Sequence, residues 1–254
     1  MACGGCNSGK TYTLQFMNKV AHDATLYSFE FKALESFEWQ EGHSAEVFMT
    51  LDGEMVGEKF PFVTLPEEKV ITFMTRIDDL KTDYQDQWSH LESGDLVEIS
   101  EPEGSFGLQR IDRPALILSD GRGMPAVRSL VKTFEKDQEG IVKLTQINVD
   151  GQLELFKEEF DAIKQSTTGF KSIYLTDRNR FYQQVDFESQ SLMIDAGFVP
   201  FFYIVGSEEF VLDVTAYLMS VGFDQADIIT DGQSVESGCG GCSGGGCSGC
   251  SDKG

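Results

Sequence analysis

One stretch constrains the fold more than any other: Ala115 to Leu130, ALILSDGRGMPAVRSL. The run Ala115-Leu116-Ile117-Leu118 is short and wholly apolar, the pattern of a strand buried on both faces of a parallel sheet. Ser119-Asp120-Gly121-Arg122-Gly123 follows, where glycine permits backbone angles that a β-carbon forbids. Pro125 suits the first turn of a helix that carries Val127, Leu130 and Val131 inward. Strand, glycine turn and helix start in that order aim free N–H groups and a positive dipole end at one spot, which suits a phosphate. An ordinary strand-to-helix turn has the same pattern, so the rest of the chain must decide.

Upstream, from Thr11 to about Arg110, the pattern is that of strands. Thr11 to Phe16 and Leu26 to Phe31 alternate apolar and polar residues with period two. Glu46 to Met49, Lys69 to Met74 and Leu96 to Ile99 continue it, with turn residues at Gly42, Asp52-Gly53, Pro66, Gly94-Asp95 and Gly104. Short strands at this spacing predict a closed antiparallel Greek-key barrel. Asp83 to Leu91 interrupts them, placing Tyr84, Trp88 and Leu91 at helical spacing.

From Pro114 the period changes. Strands are expected at Val142 to Ile147, Ser172 to Leu175, Phe201 to Val205 and Asp227 to Ile229, and helices at Leu153 to Lys164 and Glu208 to Val221. Alternating strand and helix imply a Rossmann-like parallel sheet covered by helices. The expected organisation is a Cys-containing extension (1–10), a barrel (11–110), an α/β domain (111–235) and a Gly/Cys-rich tail (236–254).

Charge narrows the partners. The chain of 254 residues has 42 acidic against 20 basic side chains, a net charge of −22. That balance disfavours nucleic acid, whose phosphates demand basic patches. A phosphorylated ligand would have to rely on a few arginines. No run approaches the roughly 18 apolar residues of a membrane span. Met1 to Lys10 lacks the apolar segment of a secretory signal, so a cytoplasmic location is expected.

A barrel followed by a nucleotide-type α/β domain resembles the ferredoxin–NADP reductase superfamily, and the likeness runs from Tyr12 to Asp231. Trp39 to His43 resembles the family's "PGQ" turn, and Phe60 to Pro66 the segment that holds its flavin. Gly94 to Ile99 with Pro102 to Phe106 is similar to the "GDxVxIxxPxGxF" barrel end, the most specific piece. Asp120 to Pro125 sits where the family has "GGxGxTP", and Tyr203 to Ser207 where it has "YxCGP". The resemblance implies an oxidoreductase that passes electrons between NAD(P)H and an acceptor through FAD. It places Phe60 on the isoalloxazine, Thr64 at the flavin or its phosphates, and Thr75, Arg76 and Tyr84 near the diphosphate. Gly121, Gly123 and Pro125 would form the pyridine-nucleotide turn. Arg178 and Arg180 would meet a 2′-phosphate, for which a guanidinium fork is suited.

Four residues depart from the family pattern, one of them Val205, which stands where a cysteine is expected. Glu58 stands where an arginine is expected unless Lys59 takes that place, Pro61 where a hydroxyl is expected, and Asp120 where a glycine is expected, with Arg122 to offset its charge. These keep a second reading open: a cofactor-free scaffold or regulatory relative.

All six cysteines lie at the ends, as Cys3 and Cys6, Cys239 and Cys242, and Cys247 and Cys250. Three CxxC pairs in a chain expected to be cytoplasmic point to metal before disulfide. Paired thiolates two residues apart suit a Zn ion or an iron–sulfur cluster, which would relay flavin electrons to an electron-transfer protein. A flexible thiol-bearing tail is the competing reading.

Overall fold

The computed structural model describes residues 9–150 and 153–231. The six cysteines, and with them the expected metal site, lie outside the described residues. Among the described residues no group of three or more His, Cys, Asp or Glu is arranged to hold a metal ion.

The N-terminal half is a six-stranded antiparallel sheet of β1 (Thr11–Ala21), β2 (Leu26–Ala33), β3 (Ser44–Leu51), β4 (Glu54–Pro61), β5 (Ile71–Arg76) and β6 (Leu96–Ser100). Their spatial order is β4-β3-β6-β1-β2-β5, so two hairpins are stitched together by strands returning from later in the chain. A bulge at Met17 shifts the β1–β2 register, with Phe16 opposite Phe31 and Asn18 opposite Glu30. The expected closed barrel is in fact a curled half-barrel. Its edge strands β4 and β5 approach until Phe62 and Phe73 are 5.2 Å apart, and Val63 N–H donates to the Thr72 carbonyl, but no ladder joins them. The gap is closed from inside by α1 (Asp83–His90), whose fully buried Trp88 meets Phe29 edge-on at 4.7 Å.

The C-terminal half is a five-stranded sheet of β7 (Arg113–Asp120), β8 (Ile141–Val149), β9 (Phe170–Leu175), β10 (Phe201–Val205) and β11 (Ile228–Thr230). All its pairs are parallel, in the order β11-β10-β7-β8-β9. Strand β7 alternates as the pleat requires. Ala115 and Ile117 face a core shared with α2 (Met124–Lys136) and α3 (Lys157–Ser166). Leu116 and Leu118 face the opposite core, with α4 (Arg178–Ala196) and α5 (Glu208–Ser220). Helix α4 has no counterpart among the elements expected from sequence. Its exposed face carries Phe187 and Ile194, which blur the apolar stripe that marks an amphipathic helix. None of the described helices is long and apolar enough to cross a membrane.

The two halves share apolar packing. Leu26, Val63, Met74, Phe106 and Leu108 from the N-terminal side are buried in the same cluster as α2 and α3. Tyr203 on β10 adds a polar tie, its hydroxyl accepting the Gln109 N–H at 2.6 Å while its ring meets Phe106 edge-on. Burial pushes that phenol up to about 12.

Candidate functional site: a cationic groove and an occupied turn

Where the edges of the half-barrel meet the β7–α2 turn, a groove of about 340 Å³ opens. That is within the range of small-molecule clefts, about 300–1,000 Å³. Leu26, Phe60, Pro61 and Met74 form its apolar wall on the half-barrel side, with Thr75, Arg76 and Gln85 beside them. Gly121, Arg122, Pro125 and Leu155 face them from the α/β side. Lys59 completes a set of three cations in a protein whose net charge is −22.

The cations are held differently. Arg76 bonds the Thr25 hydroxyl at 3.0 Å and Asp23 at 3.4 Å, and Lys59 pairs with Glu103 at 2.9 Å. The Arg122 side chain has no hydrogen-bond or ion-pair partner among the described residues. Asp23 is held below the usual carboxylate range, first by the Thr25 and Leu26 backbone N–H groups and only lastly by Arg76.

Five of the residues implied by the resemblance line this groove: Phe60, Thr75, Arg76, Gly121 and Pro125. Others are placed elsewhere. Thr64 is buried and does not line the groove, its hydroxyl donating to the Val70 carbonyl at 2.7 Å and accepting the Thr72 N–H at 3.1 Å, so it fastens the β4–β5 connection. Tyr84 is buried too, and its hydroxyl is spent on the Val47 carbonyl at 2.5 Å; its helix sends Gln85 into the groove in its stead. Glu58 does not line the groove, whereas Pro61 does, and a proline there offers no N–H.

The β7–α2 turn lies at the carboxyl end of the sheet, between β10 and β8, where the strand order reverses. Such a switch point opens a crevice for ligands in sheets of this kind. Asp120 sits in it. Its Oδ1 accepts the N–H groups of Arg122 at 2.9 Å and Gly123 at 3.2 Å. Its Oδ2 accepts the Ser207 N–H at 2.9 Å and the Ser207 hydroxyl at 2.6 Å. Gly123 serves close packing: a β-carbon there would lie 2.2 Å from the Val205 carbonyl oxygen.

No protein-family model matches the sequence, and no curated protein sequence matches it either. Solved structures do. A ferredoxin–NADP⁺ reductase from Neisseria gonorrhoeae, solved with bound FAD and NADP, superposes with a TM-score of 0.75 over 87% of this chain and 98% of its own, at 15% identity. The cytochrome b5 reductase domain of Ulva prolifera nitrate reductase gives 0.66 over 87% of this chain and 97% of its own, at 16% identity. A flavohemoglobin from Malassezia yamatoensis with bound FAD and heme gives 0.70 at 14% identity; this chain spans 87% of itself but 59% of that protein. The chain has the ferredoxin–NADP reductase fold.

Within the reductase fold the two implied arginines stand apart from the groove. Both fall in the first turn of α4, just past the carboxyl end of β9. Arg178 is paired with Asp213 at 3.2 Å and lies over the Phe210 ring at 5.5 Å, while Arg180 has no ion-pair partner among the described residues. The residue that sequence reasoning missed is Arg128. From α2 it donates to the Val63 carbonyl and forks onto both Glu68 and Glu159 at 2.8 Å, clamping the half-barrel to α2 and α3. Burial works against its charge, but the two carboxylates outweigh it and raise the guanidinium's pKa. No local signal marks Arg128, because its partners are 60 and 31 residues away in sequence.

Proposed function

We propose that this protein is a flavin-dependent oxidoreductase whose groove between half-barrel and sheet takes FAD. The observation that carries this reading is the concentration of Lys59, Arg76 and Arg122 beside an apolar wall, in a chain otherwise dominated by acidic side chains. Cations of this kind match a diphosphate, and Phe60, Met74 and Leu155 offer surface to a flat ring system. The fit is one of donor chemistry: Arg76, Arg122 and Lys59 would hold phosphate oxygens, with the Thr75 hydroxyl and Gln85 amide as neutral partners. FAD, when bound, supplies the electron-transfer chemistry, and these residues bind and orient it. The similarity to a ferredoxin–NADP⁺ reductase and a flavohemoglobin, both solved with bound FAD, supports the same reading.

NAD(P)H as the electron source has less support. Arg178 is engaged by Asp213, and the turn that would take a diphosphate already holds a carboxylate. A relay through a Zn or iron–sulfur centre to an electron-transfer protein rests on the CxxC pairs of the sequence alone. Metal content of full-length protein against protein ending at residue 235 tests it.

The second reading, a cofactor-free relative, draws on Asp120 and Pro61. Colour separates the two. Purified protein, or protein incubated with FAD and desalted, is expected to show flavin absorption in the visible blue. Failure to retain FAD under any reconstitution would leave the scaffold reading in possession.

A further inference from the structure

We infer that Asp120 is a built-in occupant of the anion seat at the sheet's switch point, and that the second half of this protein therefore does not take a pyridine dinucleotide there. A diphosphate at such a place is held by unpaired backbone N–H groups at helix starts. Here the donors at the mouth of the turn, up to the N-cap of each helix, are already used. The carboxylate of Asp120 receives two N–H groups from the start of α2, and an N–H and a hydroxyl from Ser207, the N-cap of α5. One side chain thus takes the N-cap N–H groups of both helices that flank the crevice, a place where a bound anion would otherwise sit.

Space and charge agree with this assignment. A β-carbon on Gly206 would come within 2.4 Å of Asp120 Oδ1, and one on Gly121 within 1.9 Å of Asp150 Oδ2. Two carboxylates, from the ends of β7 and β8, therefore crowd the turn from either side. An incoming diphosphate would meet the carboxylate of Asp120, and like charges brought together disfavour binding strongly. Arg122 offers one cation in return, and it faces the groove. The inference does not rest on flavin binding: the seat is defined by the bonds that Asp120 accepts, and Asp120 is not among the residues lining the groove, although the two adjoin at the β7–α2 turn.

The test is calorimetric titration of the full-length protein with NADP⁺, NAD⁺ and inorganic pyrophosphate, for wild type and for Asp120→Ala. The wild type is expected to show no nucleotide binding with a dissociation constant below about 1 mM. Asp120→Ala vacates the seat and frees its donors, so pyrophosphate is expected to bind it at least about tenfold more tightly than wild type. It should also raise the variant's melting temperature by more than that of the wild type, in which only the groove cations are open to it. Should the alanine variant not fold, Asp120→Asn takes its place: the amide keeps one acceptor oxygen but presents an NH₂ that opposes the donors of Ser207. Micromolar binding of either nucleotide to wild type overturns the inference, as does a variant that gains no affinity for pyrophosphate. Flavin uptake, read separately from its absorbance, can fail without altering either result.

Discussion

At the scale of single residues, charge is used sparingly and mostly for structure. Arg128 is the clearest case, with its side chain 12% exposed and both carboxylates forked onto it. Removing the guanidinium leaves Glu68 and Glu159 close together without their shared partner. Arg128→Met is expected to destabilise the fold by roughly 2–4 kcal/mol, at or below the range for buried pairs because Glu68 and Glu159 keep some solvent contact. Chemical denaturation would measure it. The pH dependence has a definite sign. Burial raises the pKa of Glu68, but its bonds to Arg128 and the Leu65 N–H bring it below the ordinary 4.5. A carboxylate depressed on folding stabilises fully above its unfolded pKa, and that stability is lost as pH falls through the lowered folded value. Wild type should therefore lose stability more steeply than Arg128→Met as the pH drops below about 4.5. Parallel slopes would remove the clamp from the explanation. Arg76 belongs to the same scale but to the site. Arg76→Gln is expected to weaken FAD binding about tenfold, the loss of one charge-assisted contact, with little change in melting temperature, since its bond to Asp23 is long and half-exposed.

Secondary-structure elements carry the next set of constraints. The β7–α2 turn combines two demands that only glycine meets: Gly121 lies against Asp150, and Gly123 lies against the Val205 carbonyl. Gly123→Ala would force β10 away from the start of α2, at roughly 1–3 kcal/mol for the overpacking. An accompanying shift in the amide signals of Val205 to Ser207 would place the strain where the geometry puts it. Helix α1 acts as the stopper of an unclosed sheet. Trp88 is fully buried against Phe29, Phe31 and Phe60, so Trp88→Ala should destabilise by about 3–5 kcal/mol. Because Phe60 also lines the groove, the same change should loosen FAD binding, read by flavin fluorescence. Loss of stability with unaltered flavin affinity would show that the wall of the groove does not depend on its aromatic backing.

On the scale of the whole molecule, two features dominate: the shared core and the net charge. Half-barrel residues Leu26, Val63, Met74, Phe106 and Leu108 are buried with α2 and α3, so the halves should unfold in one calorimetric transition, which Phe106→Ala lowers without splitting. With a net charge of −22, like-charge repulsion opposes the compact state. Raising ionic strength from about 0.01 M to about 0.15 M shortens the screening length from about 30 Å to about 8 Å, and the melting temperature should rise.

Local pattern alone determined much of this protein. Period-two alternation marked β1, β2 and β6, and the apolar runs at 115–118 and 201–205 marked the central strand of the parallel sheet and one of its inner neighbours, because burial on one or both faces writes itself into neighbouring residues. Helix α4 escaped, since Phe187 and Ile194 on its open face erase the polar side of the pattern. What only the tertiary structure decided depends on partners distant in sequence. Whether the sheet closes was set by the failure of β4 and β5 to pair, and Thr64 and Tyr84 were drawn into structural bonds by carbonyls that no local spacing reveals. Asp120 was visible in the sequence as an acid in a glycine turn. That its carboxylate satisfies donors from two helices depends on Ser207, 87 residues away, which the parallel pairing of β7 and β10 brings to the same crevice.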